Sequence, residues 1–202
     1  DELLRRMASL PLARSAPGPL EAAPPPQPDE LARRIDHTLL KADASREDLR
    51  RLCDEARRHG FATVCVNSSH VGWCADWLAG TDVGVCTVVG FPLGAMRAAA
   101  KAFEARTAVA DGAREVDTVI PLGALKSFEF DRVLDDLREV VAGAAPARVK
   151  VILETAMLDA EHKVAGCVLA RVAGAHFVKT YYVEDGYPAV EASQIELRKA
   201  LL

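Results

Sequence analysis

Residues 149–180, VKVILETAMLDAEHKVAGCVLARVAGAHFVKT, decide the fold class of this chain. Two short runs rich in Val, Ile and Phe, 149–155 and 176–180, flank a segment at 159–173 with a helical pattern of apolar residues. A strand, a helix and a second strand in this order predict two parallel strands joined by a helical crossover. Both runs are apolar almost throughout, which is typical of strands buried on both faces of a sheet.

The same alternation extends outward from this unit over most of the chain. Helices are expected at 30–35, 46–59, 70–79, 96–112, 128–143, 159–173 and 189–202. Strands are expected near Asp36 and at 62–67, 83–91, 115–122, 149–155 and 176–180. Ser45, followed by Asp48, predicts the start of one helix, and Gly60 predicts its end. The chain is therefore predicted to be an α/β protein.

Two α/β architectures fit this alternation, an open doubly wound sheet and a (β/α)8 TIM barrel. No GxGxxG or GxxxxGK[ST] loop follows any predicted strand, which counts against the nucleotide-binding open sheets. Polar residues recur at the carboxyl ends of the predicted strands, at Asn67, Asp117, Glu154 and Lys179. Because a barrel places its chemistry at these ends, we favour the barrel.

The number of strand–helix units departs from that of a complete barrel. Equivalent strand positions recur about every 29 residues as far as Lys179, so about six βα units are expected instead of eight. Only 23 residues follow Lys179. An open barrel leaves two sheet edges unpaired, which is unfavourable. Either the natural chain continues beyond Leu202 or another segment completes the barrel.

Residues 1–29 differ in composition from the rest of the chain. They hold seven of its eleven prolines, and proline fixes φ and removes a backbone donor. Residues 1–10 could form a short amphipathic helix, and 11–29 are expected to be an extended linker. We therefore predict a Pro-rich N-terminal arm at 1–29 and one barrel domain at 30–202 that lacks the last two βα units.

Composition excludes several classes of protein. The formal charge is −4, aromatic residues make up 5%, and no basic block occurs, which argues against a nucleic-acid surface. The longest apolar runs fall well short of the roughly 18 residues of a membrane span, and the N-terminus lacks the pattern of a signal peptide. A cytoplasmic protein is predicted. The five cysteines show no CxxC pair or zinc-ligand spacing, so we expect reduced, packed thiols without a metal.

Lys179 is the first candidate for chemistry. It lies near the end of an apolar strand, so its amine is expected to project into the barrel mouth. Desolvation lowers the pKa of a lysine, and a neutral amine in a pocket is the nucleophile of Schiff-base chemistry with carbonyl substrates. A structural lysine paired with a carboxylate is the alternative.

Further ionisable residues are predicted to share the face of Lys179. Asp117 lies two strands earlier and could relay protons during the collapse of a carbinolamine. Lys150, on the strand between them, could pair with Asp117 or Glu154, or could lower the pKa of Lys179 by like-charge repulsion. Asp36 is a further inward carboxylate candidate. Two lysines and two carboxylates on one barrel face favour carbonyl chemistry.

Six motifs carry a resemblance to a known family. They are IDHTLLK at 35–41, VCVN at 64–67, VGFPLG at 89–94, EVD at 115–117, KVILET at 150–155 and FVKT at 177–180. In order and spacing they closely resemble deoxyribose-phosphate aldolase. The resemblance implies a cofactor-independent class I aldolase on a (β/α)8 barrel, commonly a homodimer. Such an enzyme reversibly cleaves 2-deoxyribose 5-phosphate to acetaldehyde and glyceraldehyde 3-phosphate.

The resemblance also implies roles for individual residues. Lys179 resembles the Schiff-base lysine of the family, and Asp117 resembles its proton-relay aspartate. The positions implied to bind substrate are Asp36, Cys65, Lys150 and Thr180. The implied partners are a phosphorylated sugar and an aldehyde, with neither nucleic acid nor membrane, and no metal is expected.

The segment after Thr180 departs from the family. The family continues with Ser-Thr-Gly, whereas residues 181–186 are Tyr-Tyr-Val-Glu-Asp-Gly. This string more closely resembles a neighbouring branch that includes a thiolase for a phosphorylated autoinducer-2 breakdown product and archaeal-type fructose-bisphosphate aldolases. The second catalytic lysine and the Gly-rich phosphate loops of the family have no counterpart in the sequence. Two alternatives therefore stay open: a related phospho-sugar aldolase or thiolase, and an inactive incomplete barrel that acts as a partner subunit.

Overall fold

A computed structural model of the chain describes residues 27–180 and 194–196. Its helices are α1 Pro28–Ala32, α2 Arg46–His59, α3 Val71–Leu78, α4 Ala98–Ala110, α5 Leu122–Lys126, α6 Phe130–Ala144 and α7 Ala160–Val172. Its strands are β1 Asp36–Leu39, β2 Thr63–Asn67, β3 Gly84–Val89, β4 Glu115–Val119, β5 Arg148–Ile152, β6 Phe177–Lys179 and β7 Gln194–Glu196. Within this part of the chain, no helix has the length and apolar character needed to cross a membrane.

The strands form one sheet whose spatial order is the same as their order along the chain. β1 to β6 are parallel, and β7 pairs with β6 in the antiparallel direction. A doubly wound sheet reverses its strand order at a switch point, so the uninterrupted order excludes that alternative. Lys179 Nζ on β6 lies 3.8 Å from Asp36 Oδ2 on β1, which shows that the sheet curls and brings its first and sixth strands together. The prediction of a barrel with six βα units is confirmed as a curled half-barrel.

The helices cover the outer face of the curl. Val116, Val149 and Val151 point outward into the main core under the helices, whereas Val119 and Ile152 point inward and pack together. This separation follows from the period of two in a strand, which sends successive side chains to opposite faces.

Four of the five cysteines are buried and all five are free thiols, in agreement with their expected packing as small apolar side chains.

Helix α2 has the bounds that its capping residues predict. The Ser45 hydroxyl accepts a hydrogen bond from the Asp48 N–H over 3.2 Å, and the Asp48 carboxylate accepts one from the Ser45 N–H over 3.0 Å. Gly60, with a left-handed φ of 66°, ends the helix. The sequence is sufficient to predict the bounds of this helix because every capping group lies within its first or last turn.

Several sequence-based boundaries differ from the structure. β4 ends at Val119 instead of 122, and α5 was not predicted because a short helix after proline carries little periodicity. Residues 194–196 form strand β7 within a segment predicted to be helical, since the free edge of β6 offers backbone hydrogen bonds that helical periodicity does not reveal. Helix α1 begins at Pro28, inside the predicted arm, as proline is favoured at a first helical position. The rest of the arm and residues 181–186 lie outside the described residues.

Helices α4 and α6 approach each other closely at Gly143. A Cβ atom on Gly143 would lie 2.5 Å from the carbonyl oxygen of Ala102 and 3.1 Å from its carbonyl carbon. Because backbone atoms on both sides resist displacement, we expect Gly143→Ala to lower the free energy of unfolding by about 1–3 kcal/mol in urea denaturation. Gly72→Ala in α3 is the matched control, since no atom lies within 4 Å of the position that its Cβ would take. The control is expected to be neutral or stabilising, and equal stabilities would contradict the close contact.

Candidate active site

Five ionisable side chains meet inside the curl and form what we call the lysine–carboxylate cluster. Its members are Asp36, Glu115, Asp117, Lys150 and Lys179. The period of two places Glu115 and Asp117 on the same inward face of β4. The parallel register then sets Asp117 beside Lys150 and Ile152 beside Lys179. Strand pairing thus brings together residues that are far apart in the sequence.

Lys150 is fully buried and contacts three carboxylates. Its Nζ lies 2.5 Å from Glu115 Oε2, 2.9 Å from Asp117 Oδ1 and 3.2 Å from Asp36 Oδ2. Burial by itself lowers the pKa of Lys150, but the attraction of Asp117 and the other carboxylates outweighs burial and raises this pKa well above its ordinary value. Lys150 is therefore held as an ammonium ion that joins three strands.

Lys179 is the last residue of β6 and is 4% exposed. Its Nζ donates a hydrogen bond to Asp117 Oδ2 over 2.6 Å. Burial lowers the pKa of Lys179, yet the attraction of Asp117 is stronger and the net effect raises this pKa above its ordinary value. Burial and repulsion from Lys150 both act to lower this pKa, as predicted, but the predicted net lowering is wrong because the paired carboxylate outweighs them.

Asp117 is fully buried and links the two lysines through different oxygens. Oδ1 accepts from Lys150 and, over 3.2 Å, from the Cys86 thiol, while Oδ2 accepts from Lys179. Burial raises the pKa of Asp117, but the two ammonium groups lower it more, so the net pKa lies below its ordinary value. Burial raises the pKa of Cys86, which therefore stays a thiol beside this carboxylate.

The cluster holds one more negative than positive charge when all five groups are ionised. Three carboxylates face two ammonium groups, and their side chains are at most 13% exposed. In an interior of low dielectric this excess favours any cation at Lys179 Nζ, including the iminium ion that a carbonyl compound forms there. The ligand atoms of Asp36, Cys86 and Glu115 lie close enough together to hold a metal ion. The Lys150 ammonium contacts all three residues and so occupies the position of such a cation.

Four of the predicted site residues belong to the cluster: Asp36, Asp117, Lys150 and Lys179. Cys65 lies next to it, because its thiol is within 4.8 Å of Cys86 Sγ and of Asp117. Thr180 lies at the strand end instead, where its hydroxyl is hydrogen-bonded to that of Thr155 at 2.6 Å.

One predicted pairing is not formed, and two residues of the site were missed by the sequence analysis. Among the described residues, no ion pair joins Lys150 to Glu154, which has a left-handed φ of 53° that turns the chain at the end of β5. Glu115 and Cys86 were missed. Glu115 could have been found from its position two residues before Asp117, whereas the approach of Cys86 to Lys150, at 3.2 Å, depends on the register of β3 with β4.

The chain is similar to aldolases over most of its length. The sequence profile of the DeoC/LacD family aldolases matches residues 31–197. A deoxyribose-phosphate aldolase from Bdellovibrio bacteriovorus is 53% identical over 151 residues, which are 75% of this chain and 69% of that protein. A deoxyribose-phosphate aldolase from Enterococcus faecalis is 51% identical over 152 residues, covering 75% of this chain and 69% of that protein.

Solved structures share the fold as well. A candidate deoxyribose-phosphate aldolase from Coccidioides immitis has a TM-score of 0.79 and 40% identity, covering 89% of this chain and 69% of that one. The tetrameric deoxyribose phosphate aldolase from Aeropyrum pernix has a TM-score of 0.70 and 35% identity, covering 76% and 65% of the two chains. With its curled α/β fold and its buried lysine–carboxylate cluster, the chain belongs to the DeoC/LacD family of aldolases.

Proposed function

We propose that this protein is a class I aldolase that reversibly cleaves 2-deoxy-D-ribose 5-phosphate to acetaldehyde and D-glyceraldehyde 3-phosphate. The observation that carries the proposal is the buried Lys179 amine, 2.6 Å from the Asp117 carboxylate. The relatives named as deoxyribose-phosphate aldolases favour this substrate over another phospho-sugar aldolase or thiolase. The buried cluster of charges also disfavours an inactive partner subunit, because unused buried charges are costly.

In the synthetic direction, the proposed reaction begins at Lys179. Its Nζ loses a proton through Asp117, which acts as a relay, attacks the carbonyl carbon of acetaldehyde, and forms a carbinolamine as the carbonyl oxygen takes up a proton. Loss of water leaves an iminium ion, and removal of a proton from its methyl carbon gives an enamine. The enamine carbon attacks the aldehyde carbon of glyceraldehyde 3-phosphate, and addition of water to the new iminium ion releases the sugar and frees Lys179.

The charges of the cluster support separate roles for the two lysines. The raised pKa of Lys179 means that its proton must leave before attack. Asp117 is placed to pass this proton on, and its own lowered pKa means that it does not keep it. Lys150 contacts three carboxylates, so we propose that it holds Asp117 and Asp36 in place. We further propose that Cys65 and Thr180 contact the substrate.

The proposal also includes the cofactor requirement, the oligomeric state, the location and the domain organisation of the protein. The proposed chemistry uses side chains alone, so neither a cofactor nor a metal is invoked. A homodimer, a cytoplasmic location, and the division into an arm at 1–29 and a domain at 30–202 are proposed on the sequence and the resemblance.

Trapping of the imine tests the proposal directly. The protein is incubated with acetaldehyde and borohydride, and its intact mass and peptides are measured. We expect one added ethyl group on the peptide that contains Lys179, because borohydride reduces an imine to a stable amine. The same label from 2-deoxyribose 5-phosphate, but none from fructose 1,6-bisphosphate, would support the proposed substrate. A folded protein that forms no adduct with acetaldehyde would contradict the proposal.

A further inference from the structure

Two side chains of α4 reach the carboxyl ends of three neighbouring strands. Lys101 and Glu104, one helical turn apart, are here called the α4 clamp. They contact residues at the ends of β2, β3 and β4, on the side of the sheet where the chain leaves each strand. Neither residue belongs to the lysine–carboxylate cluster.

Glu104 joins the ends of β2 and β3. Its Oε1 accepts a hydrogen bond from the hydroxyl of Ser68, the first residue after β2, over 2.8 Å. Its Oε2 accepts one from the N–H of Gly90, the first residue after β3, over 3.0 Å. Both oxygens of one carboxylate are thus used to hold strand ends.

Lys101 joins the ends of β3 and β4 and is fully buried. Its Nζ donates to the carbonyl oxygen of Val119 over 3.2 Å and pairs with Asp136 of α6 at 2.5 Å. Its side chain also fills the space beneath Gly90, where a Cβ atom would lie 2.5 Å from Lys101 Cδ. Gly90 has a φ of 61°, so this turn needs glycine for its backbone as well as for its space.

The residue that the clamp holds next to Gly90 is Phe91, which reaches the inside of the curl. Phe91 packs against two groups of buried apolar side chains, one formed by Cys65, Cys86 and Val88 and the other by Val119 and Ile152. Ile152 pairs in register with Lys179. Phe91 therefore contacts the residue that neighbours, on the adjacent strand, the lysine that we propose to be the nucleophile.

We propose that Lys101 and Glu104 are positioning residues that hold the Gly90 turn and so fix Phe91 as the wall limiting the size of the donor aldehyde at Lys179. The inference rests on the proposed function, since it needs an aldehyde at Lys179. A shift of the Gly90 turn would move the Phe91 ring and widen the space beside the Lys179 amine. Directional hydrogen bonds to the strand ends suit the role of preventing such a shift.

The test compares two aldehydes on the same protein preparation. The rates of borohydride trapping at Lys179 are measured with acetaldehyde and with butanal, and their ratio is independent of the fraction of folded protein. Glu104→Gln keeps the size of the side chain but removes its charge and replaces one of its two acceptor oxygens by an NH2 group. We expect it to raise the butanal-to-acetaldehyde ratio about 3- to 10-fold, because the two charge-assisted hydrogen bonds become weaker neutral ones. Phe91→Ala is expected to raise the ratio at least as much.

A double variant and a control separate positioning from a general structural effect. Adding Glu104→Gln to Phe91→Ala is expected to change the ratio no further, because the two residues act through the same ring. Asp111→Asn, an exposed change of similar size after the end of α4, is expected to leave the ratio unchanged. Equal loss of both rates in Glu104→Gln would overturn this inference alone. Absence of any acetaldehyde adduct in the wild type would overturn the proposed function and this inference with it.

Discussion

Lys179→Met is expected to abolish the acetaldehyde adduct and to lower aldolase activity by about 1,000-fold or more. Methionine fills a similar volume but has no amine that could form an imine. The adduct is measured by intact mass and peptide mapping after borohydride reduction. Lys126→Met is the control, because Lys126 is exposed on α5 and outside the cluster.

The structure explains why Lys150 is not expected to replace Lys179. Lys150 is 0% exposed and contacts three carboxylates within 3.2 Å, whereas Lys179 has one carboxylate at 2.6 Å and another at 3.8 Å. Taking a proton from Lys150 would leave three buried carboxylates with less compensation. An adduct on Lys150 in the Lys179→Met protein, formed at the wild-type rate, would contradict the assignment of the nucleophile.

Asp117→Asn is expected to lower the free energy of unfolding by about 3–5 kcal/mol in urea denaturation at neutral pH. The substitution replaces the carboxylate shared by Lys150 and Lys179 with an amide, and Lys179 then has only the more distant Asp36 carboxylate, at 3.8 Å. Asp135→Asn on α6 is the matched control, since its side chain is 77% exposed and its pairing with Arg138 is weak. Equal unfolding midpoints of the two variants would contradict the proposed importance of the buried pairs.

The same variant changes the dependence of stability on acid. The folded-state pKa of Asp117 is lowered, so the stability that its ionised form provides is fully present above the unfolded pKa of about 4. This stability is lost as the pH falls through the lower folded-state pKa. The difference in free energy of unfolding between wild type and Asp117→Asn should therefore shrink in acid, and a constant difference would contradict this linkage.

Much of the architecture could be predicted from the sequence because it depends on local patterns. The helical spacing at 46–59, with Ser45 and Gly60 at its ends, predicted α2 with its observed bounds. The alternation of apolar strands and helices predicted the parallel sheet. Lys179 and Asp117 were identified as candidates because charged residues are costly in buried strands without a partner or a function.

The sequence by itself determined strands β1 to β6, most of the helices between them, and which strands carry the ionisable residues, since strand and helix preferences act over a few neighbouring residues. Only the tertiary structure decided how those residues interact. The three carboxylates around Lys150, the raised pKa of Lys179 and the contact of Glu104 with Gly90 all depend on distances of a few ångströms across different elements. Those distances come from the strand register and the curl of the sheet, because electrostatic and hydrogen-bond energies change steeply with separation.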